Sequence, residues 1–315
     1  MTTAVVFAYH NVGVRCLAVL LAHGIDVRLV ITHADNPDEN IWFDSVAGLA
    51  RRHGIPTIAP EDPNAPEIVA RIAALAPDFL FSFYYRQMLK APLLAIPQRG
   101  ALNMHGSLLP KYRGRVPVNW AIIHGERETG ATLHYMTVKP DNGDTVAQER
   151  VAIGPDDTAA EVFDKVTGAA AAALERVLPA LVAGTAPRIA QDLSQGGYFG
   201  GRKPEDGRID WSQPARRIHD LVRAVAPPYP GAFCDLDGQR LVVLRTCVVD
   251  DDTPHAEGPR LRVADGRLLA DCTNGTLELV EFALDGAPVG ADTLVSRRLD
   301  GRRLPVAGGG TGTTA

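Results

Sequence analysis

The amino-acid sequence predicts an α/β fold: a Rossmann-like, mostly parallel sheet with a smaller C-terminal β-barrel (OB-like) domain. In the first third of the 315 residues, short apolar runs alternate with stretches of helical periodicity. This alternation is typical of parallel strands that helices cover on both faces. Beyond Pro228 the pattern changes to short extended segments between Gly and Asp turns, which indicates a small antiparallel barrel.

The predicted elements of the first part follow one another with clear stop signals. Strands are expected at residues 5–8, 27–32, 57–59, 79–83 and 102–104, and helices at 17–21, 45–53, 67–75 and 117–124. A glycine follows three of these helices, and Pro77 follows the helix 67–75. Two further extended segments, 131–138 and 146–153, flank an Asp-Asn-Gly sequence that predicts a turn.

The clearest single element is a helix predicted for residues 156–183. Its start can be capped by Asp157 or Thr158, and Gly184 follows its end. Small and branched apolar side chains repeat along it at helical spacing: Val162, Val166, Ala170, Ala173, Val177 and Leu181. This one-sided pattern predicts a packing helix that takes no part in chemistry.

The chain is expected to divide into two domains. A catalytic domain is predicted for residues 1–195, a linker rich in Gly and charge for 196–206, and the C-terminal domain for 207–305. The C-terminal domain is expected to hold one short helix and several strands: 215–225, then 240–249, 260–263 and 276–282. Residues 306–315 are rich in Gly and Thr and are predicted to form a disordered tail.

The composition describes a soluble protein that does not favour polyanionic partners. Apolar residues make up 46% and charged residues 22% of the chain, so a sizeable core can form at this length. The net charge of −5 and the pI of about 6.0 give nucleic acids no general attraction. The first residues lack a basic segment and a cleavage site, and no apolar run reaches the roughly 18 residues of a membrane span. We therefore expect a cytoplasmic protein without membrane insertion.

The sequence lacks the motifs of nucleotide cofactors and of metal sites. The turn after the first strand, residues 8–13, does not match the G-x-G-x-x-G pattern of NAD sites, and no P-loop is present. The four cysteines form no C-x-x-C pair, and His105, His124 and His134 do not have the spacing of metal ligands. The sequence therefore predicts neither NAD nor a bound metal.

The best candidates for chemistry lie at the end of the predicted strand 102–104. Asn103 and His105 point to the same side of a strand, because side chains alternate with period two. The amide can stabilise an oxyanion, the imidazole can move a proton, and Asp141 is the best local carboxylate to orient it. From the residue types alone a structural role stays open, because an Asp in such a turn often only closes it.

The run from Asn103 to Gly114 resembles the signature of the 10-formyltetrahydrofolate-dependent formyltransferases. That family has N-x-H-x-S-L-L-P, then Arg-Gly, then an Asp nearly forty residues beyond the Asn, which is Asp141 here. Similar stretches continue along the chain, among them residues 5–10, 32–37, 81–86 and 222–226. The resemblance covers about residues 4–300 and implies a Rossmann-like catalytic domain followed by a barrel-like domain.

The resemblance implies transfer of a formyl group from 10-formyltetrahydrofolate to an amine, without a metal. Asn103 would stabilise the tetrahedral oxyanion, His105 would move the proton, and Asp141 would hydrogen-bond His105 and favour its charged form. The folate cosubstrate would contact a set of residues that lie after the fourth strand and in the turn: Gln87, Met88, Leu89, Arg115, Thr137, Val138, Lys139, Pro140 and Asp141.

Within the family, the sequence looks closest to the enzymes that formylate the 4-amino group of UDP-4-amino-4-deoxy-β-L-arabinose for lipid A modification. A nucleotide-linked sugar needs cations for its diphosphate, and the candidates are Lys111, Arg113, Arg115 and Arg202. Methionyl-tRNA and other nucleotide-linked amino sugars remain alternative acceptors, and a binding protein without turnover is a further class. A homodimer is compatible with the sequence.

Overall fold

The computed structural model describes residues 1–37, 40–290 and 298–306. The chain forms two compact units, which are described separately. The first unit contains Met1–Pro117, Glu128–Ala152 and Val162–Gly201. The second contains Val118–Arg127, Ile153–Glu161 and the chain from Arg202 onward.

Strands and helices alternate through most of the first unit, as the sequence predicts. The strands up to Phe199 are β1 (Thr3–Ala8), β2 (Asp26–Ile31), β3 (Thr57–Ile58), β4 (Phe79–Phe83), β5 (Gly100–His105), β6 (Arg113–Gly114), β7 (Glu128–Tyr135), β8 (Thr145–Ala152) and β9 (Tyr198–Phe199). The helices up to Gln195 are α1 (His10–Ala22), α2 (Val46–Arg52), α3 (Pro66–Leu75), α4 (Ala91–Leu94), α5 (Pro117–Ile123), α6 (Ala159–Ala183) and a 3-10 turn at Leu193–Gln195.

The main sheet has seven strands in the order β3-β2-β1-β4-β5-β7-β8. The pairs from β3 to β5 are parallel, whereas β7 runs antiparallel to β5 and β8 antiparallel to β7. This confirms the predicted Rossmann-like, mostly parallel sheet. The order of connection reverses between β1 and β4, and open α/β sheets bind ligands beyond the carboxyl ends of their strands at such a point.

The central strands form because their side chains are apolar on both faces. All residues of β1 and β4 are buried, which is the expected state of parallel strands covered on two sides. On one face a core cluster contains Phe7, Leu29, Leu80 and Leu89, with Met136 packed against it. Segments that leave the ends of β4 and β7 therefore share one rigid support.

Helix α6 has the predicted packing role. Its apolar positions Val162, Val166, Ala170 and Ala173 are buried. It begins at Ala159, after a capping box in which Thr158 and Glu161 hydrogen-bond each other in both directions. In the described part of the chain α6 is long and apolar enough to cross a membrane, but half of its apolar window is buried and a core helix passes the same test.

The second unit is rich in antiparallel strands, which confirms the predicted class of the C-terminal domain. Besides α5 from Val118 onward and the start of α6, its elements are a 3-10 turn at Pro204–Gly207, α7 (Ala215–Ala224), β10 (Ala232–Leu236), β11 (Gln239–Pro254), β12 (Arg260–Ala264), β13 (Arg267–Asp271), β14 (Asn274–Leu284) and β15 (Ala287–Pro288). The strand order is β10-β11-β14-β13-β12, with β15 on β14. Trp211 is fully buried in the core of this unit, with Ile218 and Val222 of α7.

Three segments differ from the sequence-based expectation or lie beyond the described residues. The predicted linker 196–206 contains β9, because Tyr198 and Phe199 pair in parallel with β6. Helix α1 begins at His10 rather than at residue 17, directly after β1. The predicted tail 306–315 lies outside the described residues from position 307 onward.

Candidate active site

Asn103 and His105 lie on β5, between the parallel strand β4 and the antiparallel strand β7. Asn103 is opposite His134 of β7, and His105 is opposite Thr132. The intervening Met104 is buried. The two polar side chains occupy alternate positions of one strand, as predicted, and they lie at its carboxyl end.

Asp141 reaches this pair from the turn between β7 and β8. Its Oδ1 lies 3.6 Å from Nδ1 of His105, and its Oδ2 accepts a 2.8 Å hydrogen bond from the Gly114 N–H. Its φ is +56°, a left-handed conformation that Asp adopts more readily than most residues. The structure thus brings together the three side chains that the sequence selected.

His105 is buried, and both of its ring nitrogens face hydrogen-bond acceptors. Nε2 lies 2.8 Å from the carbonyl oxygen of Tyr112, so this nitrogen must carry a proton and donate. Nδ1 faces the Asp141 carboxylate. A substrate that engages Nε2 must therefore displace the Tyr112 carbonyl.

His134 is a member of the cluster that the sequence reasoning missed. Its Nδ1 donates to the carbonyl of Tyr135 at 2.9 Å. Its Nε2 lies 3.2 Å from Nδ2 of Asn103 and 3.4 Å from Oδ1 of Asp141. His134 therefore links the amide to the carboxylate. The sequence analysis considered His134 only as a metal ligand. The strand register that places it opposite Asn103 cannot be derived from the sequence.

The electrostatic environment keeps Asp141 ionised. Burial works against the charged form, but the charge of His105, the hydrogen bond and charge of His134, and the Gly114 N–H outweigh it. Together they hold the pKa of the Asp141 carboxyl well below its usual range. The cluster thus contains a fixed anion between two imidazoles.

The turn before Asp141 is open to solvent, as a ligand contact would require. Val138 has 68% of its surface exposed. The hydroxyl of Thr137 donates a 2.7 Å hydrogen bond to the carbonyl of Lys139 and so stabilises the turn from within. Pro140 is half-buried and leads directly into Asp141.

The predicted folate residues after β4 lie on a loop that a single asparagine fixes. Asn64 donates to the carbonyl of Met88 at 2.9 Å and accepts from the N–H of Lys90 at 2.7 Å. Leu89, between them, is buried in the core cluster, whereas Met88 is half exposed. Gln87 donates to the carbonyl of Glu61 at 2.8 Å. Met88 is the side chain of this loop that can meet a ligand, and Leu89 has a packing role.

The four cations proposed for a diphosphate have different surroundings. The Arg113 guanidinium donates to Asn142 Oδ1 and to the carbonyls of Leu193 and Gly196, so it holds the chain rather than a ligand. Lys111 and Arg115 are exposed in the first unit. Arg202 belongs to the second unit, where it donates to the carbonyl of Asp206.

Aromatic side chains that the sequence reasoning did not select surround the ends of β1 and β4. His10 and Tyr84, the residues that follow those strands closely, both have left-handed φ values, of +64° and +57°. The His10 ring lies 4.6 Å from Trp42 and 4.7 Å from Phe163. A Cβ on Gly106, next to His105, would lie 2.4 Å from the Tyr84 hydroxyl. This aromatic cluster therefore borders the candidate site.

No group of three His, Cys, Asp or Glu side chains suited to a metal occurs in the ranges 1–37, 40–290 and 298–306.

Two protein-family models match the chain. Residues 17–178 match the model described as formyl transferase, and residues 202–298 match the model of the formyl transferase C-terminal domain. The first match alone covers half of the chain and contains Asn103, His105 and Asp141.

Several solved structures have the same fold at low sequence identity. The N-formyltransferase from Helicobacter canadensis, in complex with folinic acid and dTDP-3-aminofucose, is 18% identical with a TM-score of 0.69, over 89% of this chain and 99% of that one. WlaRD, a sugar 3N-formyl transferase with dTDP and 5-N-formyl-THF, is 16% identical with a TM-score of 0.70, over 89% and 97%. A 4-N formyltransferase from Francisella tularensis is 22% identical with a TM-score of 0.60, over 74% and 91%.

Proposed function

Because the chain belongs to the formyl transferase family, we propose that it transfers a formyl group from 10-formyltetrahydrofolate to the amine of a nucleotide-linked sugar. The observation that carries the proposal is the cluster of Asn103, His105 and Asp141 at the carboxyl end of β5. The carboxylate lies 3.6 Å from the imidazole, and His134 links that carboxylate to the Asn103 amide. An amide donor, an imidazole and an orienting carboxylate are the groups suited to acyl transfer to an amine.

The reaction forms one bond to the formyl carbon and breaks another. The neutral sugar amine attacks the formyl carbon, and the carbonyl oxygen becomes an oxyanion that the Asn103 amide can stabilise. The C–N10 bond then breaks, and the proton lost by the amine ends on N10 of tetrahydrofolate. His105 is proposed to carry that proton, and the Asp141 carboxylate, 3.6 Å from its Nδ1, would stabilise the imidazolium. The step uses no metal and no covalent enzyme intermediate.

The folate cosubstrate is proposed to bind between the loop after β4 and the turn before Asp141. Half-exposed Met88 and exposed Val138 offer apolar surface to the pterin. Leu89 and Met136 pack on the same core cluster, which fixes both segments. The folate ligands bound in the Helicobacter canadensis and WlaRD structures support this cosubstrate class.

The acceptor is proposed to be UDP-4-amino-4-deoxy-β-L-arabinose, in lipid A modification and polymyxin resistance. The sequence resembles the formyltransferase domain of bacterial ArnA, which is the basis for this choice. The matched structures of a sugar 3N-formyl transferase and a 4-N formyltransferase support the wider class of amino sugars as acceptors. The net charge of −5 argues against methionyl-tRNA as the acceptor.

The diphosphate of such an acceptor needs cations, and Lys111 and Arg115 of the first unit are the proposed partners. UDP titrations of Lys111→Ala and Arg115→Ala test this. We expect weaker binding in at least one of them and no change in Arg150→Ala, an arginine of β8 that pairs with Glu128. Unchanged affinity in both variants would remove these cations from the proposal.

A formylation assay tests the proposed function directly. The assay follows tetrahydrofolate release from 10-formyltetrahydrofolate with UDP-4-amino-4-deoxy-β-L-arabinose, with dTDP-linked 3-amino and 4-amino sugars, and with methionyl-tRNA. We expect turnover of an amino sugar, reduced about 10²–10⁴-fold in His105→Ala, the range for loss of a general acid–base group. Turnover of methionyl-tRNA alone would overturn the acceptor class. Undiminished turnover in His105→Ala would overturn the site.

A further inference from the structure

The chain that follows α6 runs back along the candidate site. Near its start, Ile189 and Thr145 exchange two backbone hydrogen bonds, of 2.8 and 2.9 Å. Near its end, the carbonyl of Phe199 accepts a 2.9 Å bond from the N–H of Arg115. Residues 189–199, which we call the strap, are therefore tied at one end to β8 and at the other to the segment of β6.

Between these two ties, one side chain of the strap holds the turn that carries Asp141. The Gln191 Nε2 donates to the carbonyl of Asp141 at 3.0 Å and to the carbonyl of Gly143 at 2.6 Å. Carbonyls only accept hydrogen bonds, so the amide nitrogen, and not the amide oxygen, must face them. A single half-buried amide group thus bridges the turn on both sides of Asn142.

The Asp141 turn needs such support because its backbone is in a costly conformation. A non-glycine residue at φ +56° lies in a sparsely populated region of backbone conformation and persists there only where its surroundings fix it. The side chain of Asp141 is held by the Gly114 N–H, and the backbone by Gln191. The Arg113 guanidinium connects the turn to the strap, because it donates to Asn142 of the turn and to two carbonyls of the strap.

We propose that Gln191 is a positioning residue for the formyl transfer, acting through Asp141 to keep its carboxylate facing His105. This inference rests on the proposed function. Neither ring nitrogen of His105 is touched by Gln191, whose hydrogen bonds go to the backbone of the turn. The role differs from general support of the fold, because it predicts an effect on the chemical step that requires Asp141.

The test replaces Gln191 with methionine, which has nearly the same shape but no donor. We expect kcat of Gln191→Met to fall roughly 10–100-fold, since a displacement of about 1 Å at a reacting group costs up to 10²-fold. The KM values for the folate and for the amine acceptor are expected to stay within about threefold. Gln195→Met, an exposed position of the same strap, is the matched control and keeps wild-type kcat.

A double-mutant cycle separates action through Asp141 from general damage. In the Asp141→Asn background, Gln191→Met is expected to lower kcat by less than about threefold more, because residues that act as a unit are not additive. If the fold-losses of kcat caused by Gln191→Met and Asp141→Asn multiply in the double variant, the proposal is overturned. A Gln191→Met enzyme with kcat within twofold of wild type would also overturn it.

A second readout does not need turnover. In crystal structures, the distance from Asp141 Oδ1 to His105 Nδ1, 3.6 Å here, is expected to lengthen in Gln191→Met by about 0.5 Å or more, the tolerance of productive geometry. An unchanged distance would overturn the inference even if no acceptor has been found. Failure of the wild-type enzyme to formylate any amine, with the distance lengthened, would instead refute the proposed function alone.

Discussion

At the scale of single residues, the site depends on a chain of polar side chains from Asn103 through His134 and Asp141 to His105. The separations of 3.2, 3.4 and 3.6 Å are those of groups that interact in a buried setting with little water. Hydrogen bonds and charges are stronger there than in water, so each member affects its neighbours. Asp141 is the central member, because it lies within reach of both imidazoles and of the Gly114 N–H.

The first prediction concerns Asp141→Asn, which keeps the shape of the side chain but removes its charge. We expect kcat to fall about 10²–10⁴-fold, the usual cost of losing the partner that orients and stabilises a catalytic imidazole. Tetrahydrofolate release measured at saturating substrate checks this value. A kcat within threefold of wild type would contradict the role of the carboxylate.

The same substitution changes the dependence of stability on pH. The folded-state pKa of Asp141 lies below that of an unfolded aspartate, about 3.9, so its contribution is complete above that pH and is lost as the pH falls further. We expect the free energy of unfolding of wild type to drop more steeply than that of Asp141→Asn below about pH 4. Urea unfolding between pH 3 and 7 gives both curves, and parallel curves would contradict the expectation.

At the scale of secondary-structure elements, the site is assembled from strand ends and from short extended pieces. β5 supplies two side chains, the β7–β8 turn supplies the carboxylate, and the two-stranded pair of β6 and β9 supplies the Gly114 N–H. Gly114 has φ +102°, and a Cβ there would lie 2.1 Å from the carbonyl oxygen of Phe199. Only glycine lets β6 approach β9 closely enough to aim its N–H at Asp141.

The second prediction is that Gly114→Ala loses both stability and activity. We expect about 1–3 kcal/mol of destabilisation from the backbone conformation and the clash, and a fall in kcat because the Gly114 N–H moves away from Asp141. Gly184→Ala is the control: its φ is +76°, and a Cβ would meet nothing closer than 3.7 Å. Thermal unfolding and kcat measurements of both variants check the predicted losses of stability and activity. An equal loss of kcat in both variants would contradict a role for Gly114 in the site.

At the scale of the whole molecule, the chain consists of two units that each have a core of their own. Asp271 is one of the buried polar groups of the second unit, where it accepts a hydrogen bond from Thr276 at 3.1 Å and pairs with Arg262 at 3.2 Å. Burial alone would raise the pKa of Asp271, but Arg262 and Thr276 hold it below its usual range.

The third prediction is that Asp271→Ala destabilises the second unit. We expect a loss of about 1–3 kcal/mol, because Thr276 and Arg262 lose their buried partner. The contribution of the charged form is complete above about pH 4 and is lost as the pH falls, so the difference from wild type should shrink in acid. Calorimetry at pH 7 and at about pH 3 checks both statements, with Asp252→Ala, an exposed aspartate of β11, as control. No change in the unfolding temperature would contradict the prediction.

The sequence by itself determined the class of both domains and the family. Short apolar runs such as residues 79–83, between stretches of helical periodicity, indicate buried strands, and the run from Asn103 to Gly114 is specific enough to indicate the chemistry. Asn103 and His105 could be assigned to one side of a strand because that relation is local and depends only on the period of two.

Only the tertiary structure decided which distant residues complete the site. His134 and Gln191 carry no local signal, because their partners lie 31 and 50 positions away and depend on strand register and on the return of the strap. Arg113 was a candidate for phosphate binding in the sequence, but three hydrogen bonds show that it holds the Asp141 turn to the strap. The period of a strand or helix determines which side of the element each residue faces. Contacts across the sheet depend instead on strand register and on packing between segments that are remote in the sequence.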